Sequence, residues 1–302
     1  MTTPSPVSVP PIQQIWLNAA RPRTLPASLA PVLVGLGVAW HDGQFQWLPA
    51  LATILTALLL QIAANLANDV FDFHKGADTH TRLGPPRATQ MGWLTPRQML
   101  MGLGVVLALA GLLGLYLVYV GGIPILVIGI LAMFFAVAYT AGPLPLAYLG
   151  LGDLFAFLFF GPIAVGGTYY LQTGSVNVLA VGSGVPIGFL VTNILVVNNL
   201  RDIETDRAAG KKTLAARFGA RFARVEFVTL LCGAYLMPVI LILLGQAGIG
   251  LLLTWLSIPL AMRVTRIVWR EQGRVLNQAL ARQAQFVLIF AVSWCIGVLV
   301  LI

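Results

Sequence analysis

The chain has 302 residues, of which 58% are hydrophobic and only 9% charged, with a net charge of +8. A soluble domain carries about 25% charged residues, so this composition excludes a soluble globular fold and describes a polytopic membrane protein. The positive balance does not point to nucleic acid, because the basic residues collect in a few short connections between apolar runs.

The first eleven residues are polar, rich in proline and without a charged side chain. They read as part of a disordered tail over residues 1–15 and lack the charged and apolar regions of a cleavable signal peptide. A single polytopic domain is expected from residue 16 to residue 302. A crossing needs about 20 mostly apolar residues. Nine such stretches are predicted, at 24–40, 47–67, 99–119, 122–139, 152–171, 178–198, 225–244, 247–262 and 284–302.

When the connections are assigned to alternate sides, all 18 Lys and Arg fall on the side that holds the N-terminus. Arg21 and Arg23 precede the first stretch. Lys75, Arg82, Arg87 and Arg97 follow the second, and Arg201, Arg207, Lys211, Lys212, Arg217, Arg221 and Arg224 follow the sixth. Arg263, Arg266, Arg270, Arg274 and Arg282 follow the eighth, where the mixture with Val, Ile, Leu and Trp269 predicts an amphipathic interfacial helix. The positive-inside rule makes this side cytoplasmic. Cys232 and Cys295 lie in apolar runs and read as buried thiols, not a disulfide.

The ten Asp and Glu are distributed unevenly. Five of them, Asp69, Asp72, Asp202, Glu204 and Asp206, stand in two windows that end the second and sixth stretches. Carboxylates near a membrane are costly and mark functional sites. Asn65, Asn68, Asp69 and Asp72 are spaced by three and four, which on a helix predicts one shared face. Asn198, Asn199, Asp202 and Asp206 repeat that spacing, whereas Glu204 points elsewhere. Both windows open onto the same side, and the spacing of about 134 residues suggests internal repetition.

Carboxylates this close repel unless a cation neutralises them. Mg2+ bound by a few carboxylates together with substrate phosphate oxygens meets that need, and predicts a diphosphate ligand. Lys75, Arg82, Arg87, Arg201, Lys211 and Lys212 lie within or just beyond the windows, where they are expected to grip phosphate. Lys211-Lys212-Thr213 follows Gly210, so a sharp backbone turn is expected without the glycine run of a P-loop. His74 and His80 read as hydrated loop residues, and Asp78 as a loop carboxylate.

Asn68-Asp69-x-x-Asp72 and Asp202-x-x-x-Asp206 resemble the paired aspartate motifs of the UbiA superfamily of intramembrane prenyltransferases. That superfamily's first motif often carries a further Asp where this chain has Gly76, with Asp78 two residues later. The departure is similar to the branch that prenylates 1,4-dihydroxy-2-naphthoate. So are the stretches Ala20–Pro26, Arg82–Gln90, Tyr139–Leu146, Gly150–Asp153 and Ala209–Ala215.

The resemblance implies an all-α bundle of about nine transmembrane helices around a central cavity, capped by cytoplasmic loops. It implies Mg2+ bound through Asn68, Asp69, Asp72, Asp202 and Asp206, supported by Asn65, Asn198 and Asn199. Lys211 and Arg87 are then expected to contact phosphate or the transition state, Arg21 or Arg23 the acceptor carboxylate, and Tyr139 and Tyr148 the acceptor ring. The implied reaction transfers a polyprenyl group from polyprenyl diphosphate to 1,4-dihydroxy-2-naphthoate with loss of CO2 and diphosphate, in the bacterial cytoplasmic membrane. Alternatives are phytyl transfer to the same naphthoate, a different aromatic acceptor, and, from another class, an ion-coupled transporter. Transporter sites lie near the bilayer midplane at broken helices, whereas these windows stand at helix ends.

Overall fold

The computed structural model describes residues 9–76, 82–142 and 146–300, without the side chains of residues 147 and 148. Asp78 and His80, and the Tyr148 side chain, lie outside the described residues. Among the described residues every regular element is helical.

A short helix α1 (Ile12–Ala20) precedes the first crossing. Its Ile15 is buried against Ala63, Leu66 and Met99, and its Trp16 ring lies over Gly102, where a β-carbon would stand 2.6 Å away. Residues 12–15, expected in the tail, therefore belong to the folded domain: an apolar pair four residues from the next polar turn docks onto two later helices.

Helices α2 (Leu25–His41) and α3 (Trp47–His74) form the first hairpin. Trp40, Phe45 and Trp47 cluster at its tip, with Trp40 and Trp47 exposed. Such amphipathic rings anchor a bilayer interface. Helix α3 ends at Lys75, where Gly76 takes φ +66° and its amide bonds the Phe73 carbonyl. That left-handed conformation favours glycine, which explains why no third carboxylate occupies this place.

Helix α4 (Pro96–Ala138) opens with a reciprocal Thr95–Gln98 capping box. Its 43 residues are two crossings and not one. Gly122 is non-helical at φ +67°, and Pro124 follows. Met133 Cε lies 3.9 Å from where a β-carbon on Gly111 would be. Twenty-two residues of straight helix would separate those positions by about 33 Å, so the chain reverses at Gly122. The eight long apolar segments among the described residues thus give nine crossings, as the charge pattern requires.

The remaining elements are α5 (Leu146–Leu149), α6 (Gly152–Phe160) and α7 (Pro162–Thr173), which share one crossing across Gly161, and α8 (Val178–Arg201). They continue with α9 (Ile203–Ala208), α10 (Leu214–Leu243), a 3-10 stretch Ile249–Ser257 running into α11 (Ile258–Arg270), and α12 (Leu276–Val300). In α11, Ala261, Val264 and Val268 face inward while Arg263, Arg266 and Arg270 are exposed, the amphipathic helix that the sequence predicts.

The principal core lies between α8, α10 and α12, around Phe227, Phe286, Phe290 and Trp294. Buried amides and hydroxyls cross it: Trp294 to Ser183 (3.1 Å), Gln283 to the Leu190 carbonyl (3.0 Å) and Asn193 to the Phe227 carbonyl (3.1 Å). Each such bond between membrane helices contributes about 0.6–2 kcal/mol. Both cysteines are free thiols; Cys295 is half-buried and Cys232 is exposed on the outer face of the bundle.

Candidate active site

A cavity of about 980 Å3 runs into the bundle between α2, α3, α4, α6, α7 and α8. Its body is apolar, walled by residues such as Leu117, Met133, Phe155 and Phe159. Its mouth is polar, ringed by Arg21, Asn68, Asp72, Arg82, Arg87, Tyr139, Asn198, Asn199, Asp202, Asp206 and Lys211. The two acidic windows therefore meet at one end of the bundle.

On α3 the four predicted residues do not share one face. Asn68 and Asp72 form the row that lines the cavity, while Asn65 and Asp69 form the neighbouring row and line none of it. One residue turns a helix by 100°, enough to point the second row at the protein. Asn65 Nδ2 donates to the Ala20 carbonyl (2.9 Å) and to Thr24 Oγ1 (2.9 Å), bracing the start of α2. Asp69 is 1% exposed and accepts the amides of Ala88 (3.0 Å) and Thr89 (3.1 Å), one on each carboxylate oxygen. Asp69, expected at the metal, and Asn65, expected at the substrate, here hold chain segments.

What Asp69 holds is the loop that carries Arg87. Arg87 Nη2 donates to Asp72 Oδ2 at 3.0 Å, and both residues are buried. Asp72 Oδ1 accepts no hydrogen bond but faces Lys211 Nζ at 3.4 Å. Lys211 also approaches Asp206 Oδ1 at 3.8 Å. One ammonium thus bridges carboxylates from the two windows. Its placement follows from α9: Gly210 takes φ +71° and the Lys211 amide bonds back to the Asp206 carbonyl (2.8 Å), turning the side chain inward. Burial raises the Asp206 pKa to about 7; Lys211 pulls it back and Asp202 pushes it further up.

In the second window Arg201 grips Asp202 through Nε (2.8 Å) and Nη2 (2.5 Å). The same guanidinium donates to Asn198 Oδ1 (2.7 Å) and Asn277 Oδ1 (2.7 Å), and Asn277 bonds the Leu83 carbonyl (3.0 Å). Arg201 is 5% exposed and lines none of the cavity. It therefore orients Asp202 and Asn198 and ties the loop after α3 to α12.

Three further cations expected at the substrate, Lys75, Lys212 and Arg23, are exposed and outside the cavity wall. Lys75 Nζ donates to the Thr140 carbonyl (2.7 Å), and Thr140 Oγ1 donates to Asn68 Oδ1 (2.9 Å). Glu204 pairs with Arg207 (3.1 Å) on the surface. Tyr139 lines the mouth; burial raises its pKa, with Asp153, Asp206 and Asp72 adding to the effect, so it stands as a neutral phenol. Sequence reasoning missed Thr140 and Asn277. Their types carry no chemical signal, and only the fold brings them to the windows.

The donor set that faces the cavity is oxygen alone: Asp72, Asp202, Asp206 and the amides of Asn68, Asn198 and Asn199. Oxygen donors fit a hard divalent cation. Among the described residues no three His, Cys, Asp or Glu stand close enough to hold an ion by themselves. Mg2+ is characteristically bound by one or two carboxylates with water and substrate phosphate completing its shell, so the arrangement suits an ion that arrives with a phosphorylated ligand.

An all-helical multi-pass membrane protein with acids and bases ringing the mouth of an apolar cavity is the class these features define. The chain belongs to the UbiA prenyltransferase family, whose profile matches residues 28–294. It is 37% identical over 297 residues to the 1,4-dihydroxy-2-naphthoate octaprenyltransferase of Escherichia coli (strain K12), covering 93% of this chain and 96% of that one. It is 30% identical over 273 residues to the 2-carboxy-1,4-naphthoquinone phytyltransferase of Synechocystis sp. (strain ATCC 27184 / PCC 6803 / Kazusa), covering 87% and 85%. A UbiA homologue from Archaeoglobus fulgidus bound to DMAPP and Mg2+ has the same fold, with a TM-score of 0.62 at 16% identity over 93% of this chain and 99% of that one.

Proposed function

We propose that this protein transfers a polyprenyl group from polyprenyl diphosphate to 1,4-dihydroxy-2-naphthoate, releasing diphosphate and CO2 and giving a demethylmenaquinone-type product. The observation that carries the reading is Lys211 between Asp72 and Asp206, which joins the two acidic windows at the mouth of one apolar cavity. The naphthoate follows both of these relatives, and the polyprenyl rather than phytyl donor follows the higher identity to the octaprenyltransferase. The gathering of all 18 basic residues on one side supports a cytoplasmic mouth in a bacterial cytoplasmic membrane.

Asp72, Asp202 and Asp206, with the carbonyl oxygens of Asn68 and Asn198, would hold Mg2+. When bound, the ion would neutralise charge on the departing diphosphate. Lys211, Arg87 and Arg82 stand at the same mouth to take up that charge as the allylic C–O bond opens. For this, Lys211 and Arg87 exchange Asp72 for phosphate oxygens. The apolar walls around Phe155 and Phe159 house the isoprenoid and keep water from the developing carbocation. The electron-rich ring attacks it, forming a C–C bond; the electron pair of the ring–carboxylate bond returns to the ring as CO2 departs. Arg21 faces the carboxylate before that step, and neutral Tyr139 offers its hydroxyl or ring face to the acceptor. Asp69 acts at one remove, by fixing the Arg87 loop.

The test is product formation by purified protein in lipid, with and without Mg2+, beside Asp72→Ala and Asp206→Ala. Mg2+-dependent product that both substitutions abolish is expected. Turnover with 4-hydroxybenzoate instead would discard the naphthoate, and full activity in both variants would discard the metal-diphosphate site.

A further inference from the structure

The apolar body of the cavity contains a polar shelf that the diphosphate chemistry does not use. Gln61 and Thr56 on α3 both line the cavity, and Gln61 Oε1 and Thr56 Oγ1 are buried with no hydrogen-bond partner. Such a group is costly unless something pairs it, and a ligand in the cavity is one partner that can do so. Across from them, Pro31 lies inside α2 and also lines the cavity. A proline has no N–H, so the carbonyl of Ala27, four residues earlier and likewise in the cavity wall, loses its helical donor. An amide, a hydroxyl and a carbonyl without its helical donor thus belong to residues that line a mostly apolar chamber.

This shelf is placed relative to the mouth by helix geometry. Gln61 is seven residues from Asn68, about 10 Å of rise, and eleven from Asp72, about 16 Å. An isoprenoid tail has no hydrogen-bonding group that would use it, whereas an aromatic acceptor with ring hydroxyls does. At the mouth stands Arg21, whose backbone is left-handed at φ +51°, the only non-glycine residue among the described ones with positive φ. The Pro22 that follows makes that conformation still less favourable, and strain of this kind collects at functional positions. Asn65 pins the turn through the Ala20 carbonyl.

We propose that Gln61, with Thr56 and the Ala27 carbonyl, forms a slot that recognises the acceptor's ring hydroxyl remote from its carboxylate while Arg21 holds that carboxylate. The slot selects hydroquinone-type aromatic acids over monohydroxylated ones. It rests on the naphthoate reading above. A ring hydroxyl donates to the Ala27 carbonyl or Gln61 Oε1 and accepts from Gln61 Nε2, which orients the ring carbons toward the allylic carbon at the mouth.

Calorimetric binding of 1,4-dihydroxy-2-naphthoate and of 1-hydroxy-2-naphthoate to the full-length protein in lipid nanodiscs, without prenyl donor, tests the slot. Wild type should bind the dihydroxy acid at least tenfold more tightly, and Gln61→Leu should bind both acids alike. In turnover, Gln61→Leu should raise KM for the acceptor about tenfold or more and leave KM for the prenyl diphosphate unchanged. Thr56→Val should show the same pattern more weakly, and serves if Gln61→Leu does not fold. Undiminished discrimination in a folded Gln61→Leu, or a rise in KM for the diphosphate substrate alone, would overturn the slot. If wild type binds neither acid and forms no product from the naphthoate, the acceptor assignment itself fails; that outcome is read from the wild type and not from the variants.

Discussion

The two acidic windows have similar sequences and are used differently. In each, one Asp is fully engaged by the protein and another meets the cavity. In the first, Asp69 spends both oxygens on backbone amides and leaves the cavity wall altogether. In the second, Asp202 is gripped by the Arg201 fork yet still lines the mouth. The difference comes from what each partner leaves free. Amides from a loop approach Asp69 on the side away from the chamber. A guanidinium beside Asp202 fixes its plane while one edge stays open to a cation. Repeated sequence therefore does not imply repeated roles.

The largest effect should come from the residue that faces both the cavity and Lys211. Asp72→Ala removes a carboxylate donor and one counter-charge beside Arg87 and Lys211; kcat should fall by about 10³-fold or more, measured as product formed at saturating Mg2+. Lys211→Ala should lower kcat/KM by about 10²-fold, with partial recovery in Lys211→Arg, as steady-state kinetics would show. Loss much smaller than tenfold would mean that the bridge between the windows is incidental.

Asp69→Asn breaks the comparison most directly. If Asp69 positions the Arg87 loop, turnover should fall about 10–100-fold while Mg2+ affinity, measured by calorimetry with a diphosphate ligand, stays near wild type. A collapse of Mg2+ affinity like that of Asp72→Ala would make Asp69 a ligand and the two windows equivalent. The pH dependence sharpens the second window. Asp206, raised to about 7 chiefly by burial, carries a proton below that pH that a bound cation must displace. Mg2+ affinity should be flat above pH 7 and weaken as pH falls, by up to about tenfold per unit; Asp206→Asn should remove the slope. The smallest effect belongs to Glu204, which is 85% exposed: Glu204→Ala should change activity by less than about twofold.

Much of this was legible in the sequence. The Lys and Arg distribution demanded nine crossings and one polar mouth, and the reversal at Gly122 supplies the crossing that helix length alone hides. Lys211 and Arg87 were marked by proximity to the windows, and both stand at the cavity. Asn65 and Asp69 lie outside the cavity wall because spacings of three and four define a band of helix surface wider than one cavity. Gln61 gave no signal, since a single amide in an apolar helix reads like any other buried polar group.

The sequence by itself determined the membrane class, the number of the crossings and the pairing of two acidic windows on one side. Those properties follow from hydropathy and charge, which act residue by residue. Which Asp faces the chamber, which cation bridges the windows and which arginine is consumed in scaffolding were decided only by tertiary structure. They depend on a rotation of 100° per residue and on which loop arrives at each side chain, and neither is encoded within the windows themselves.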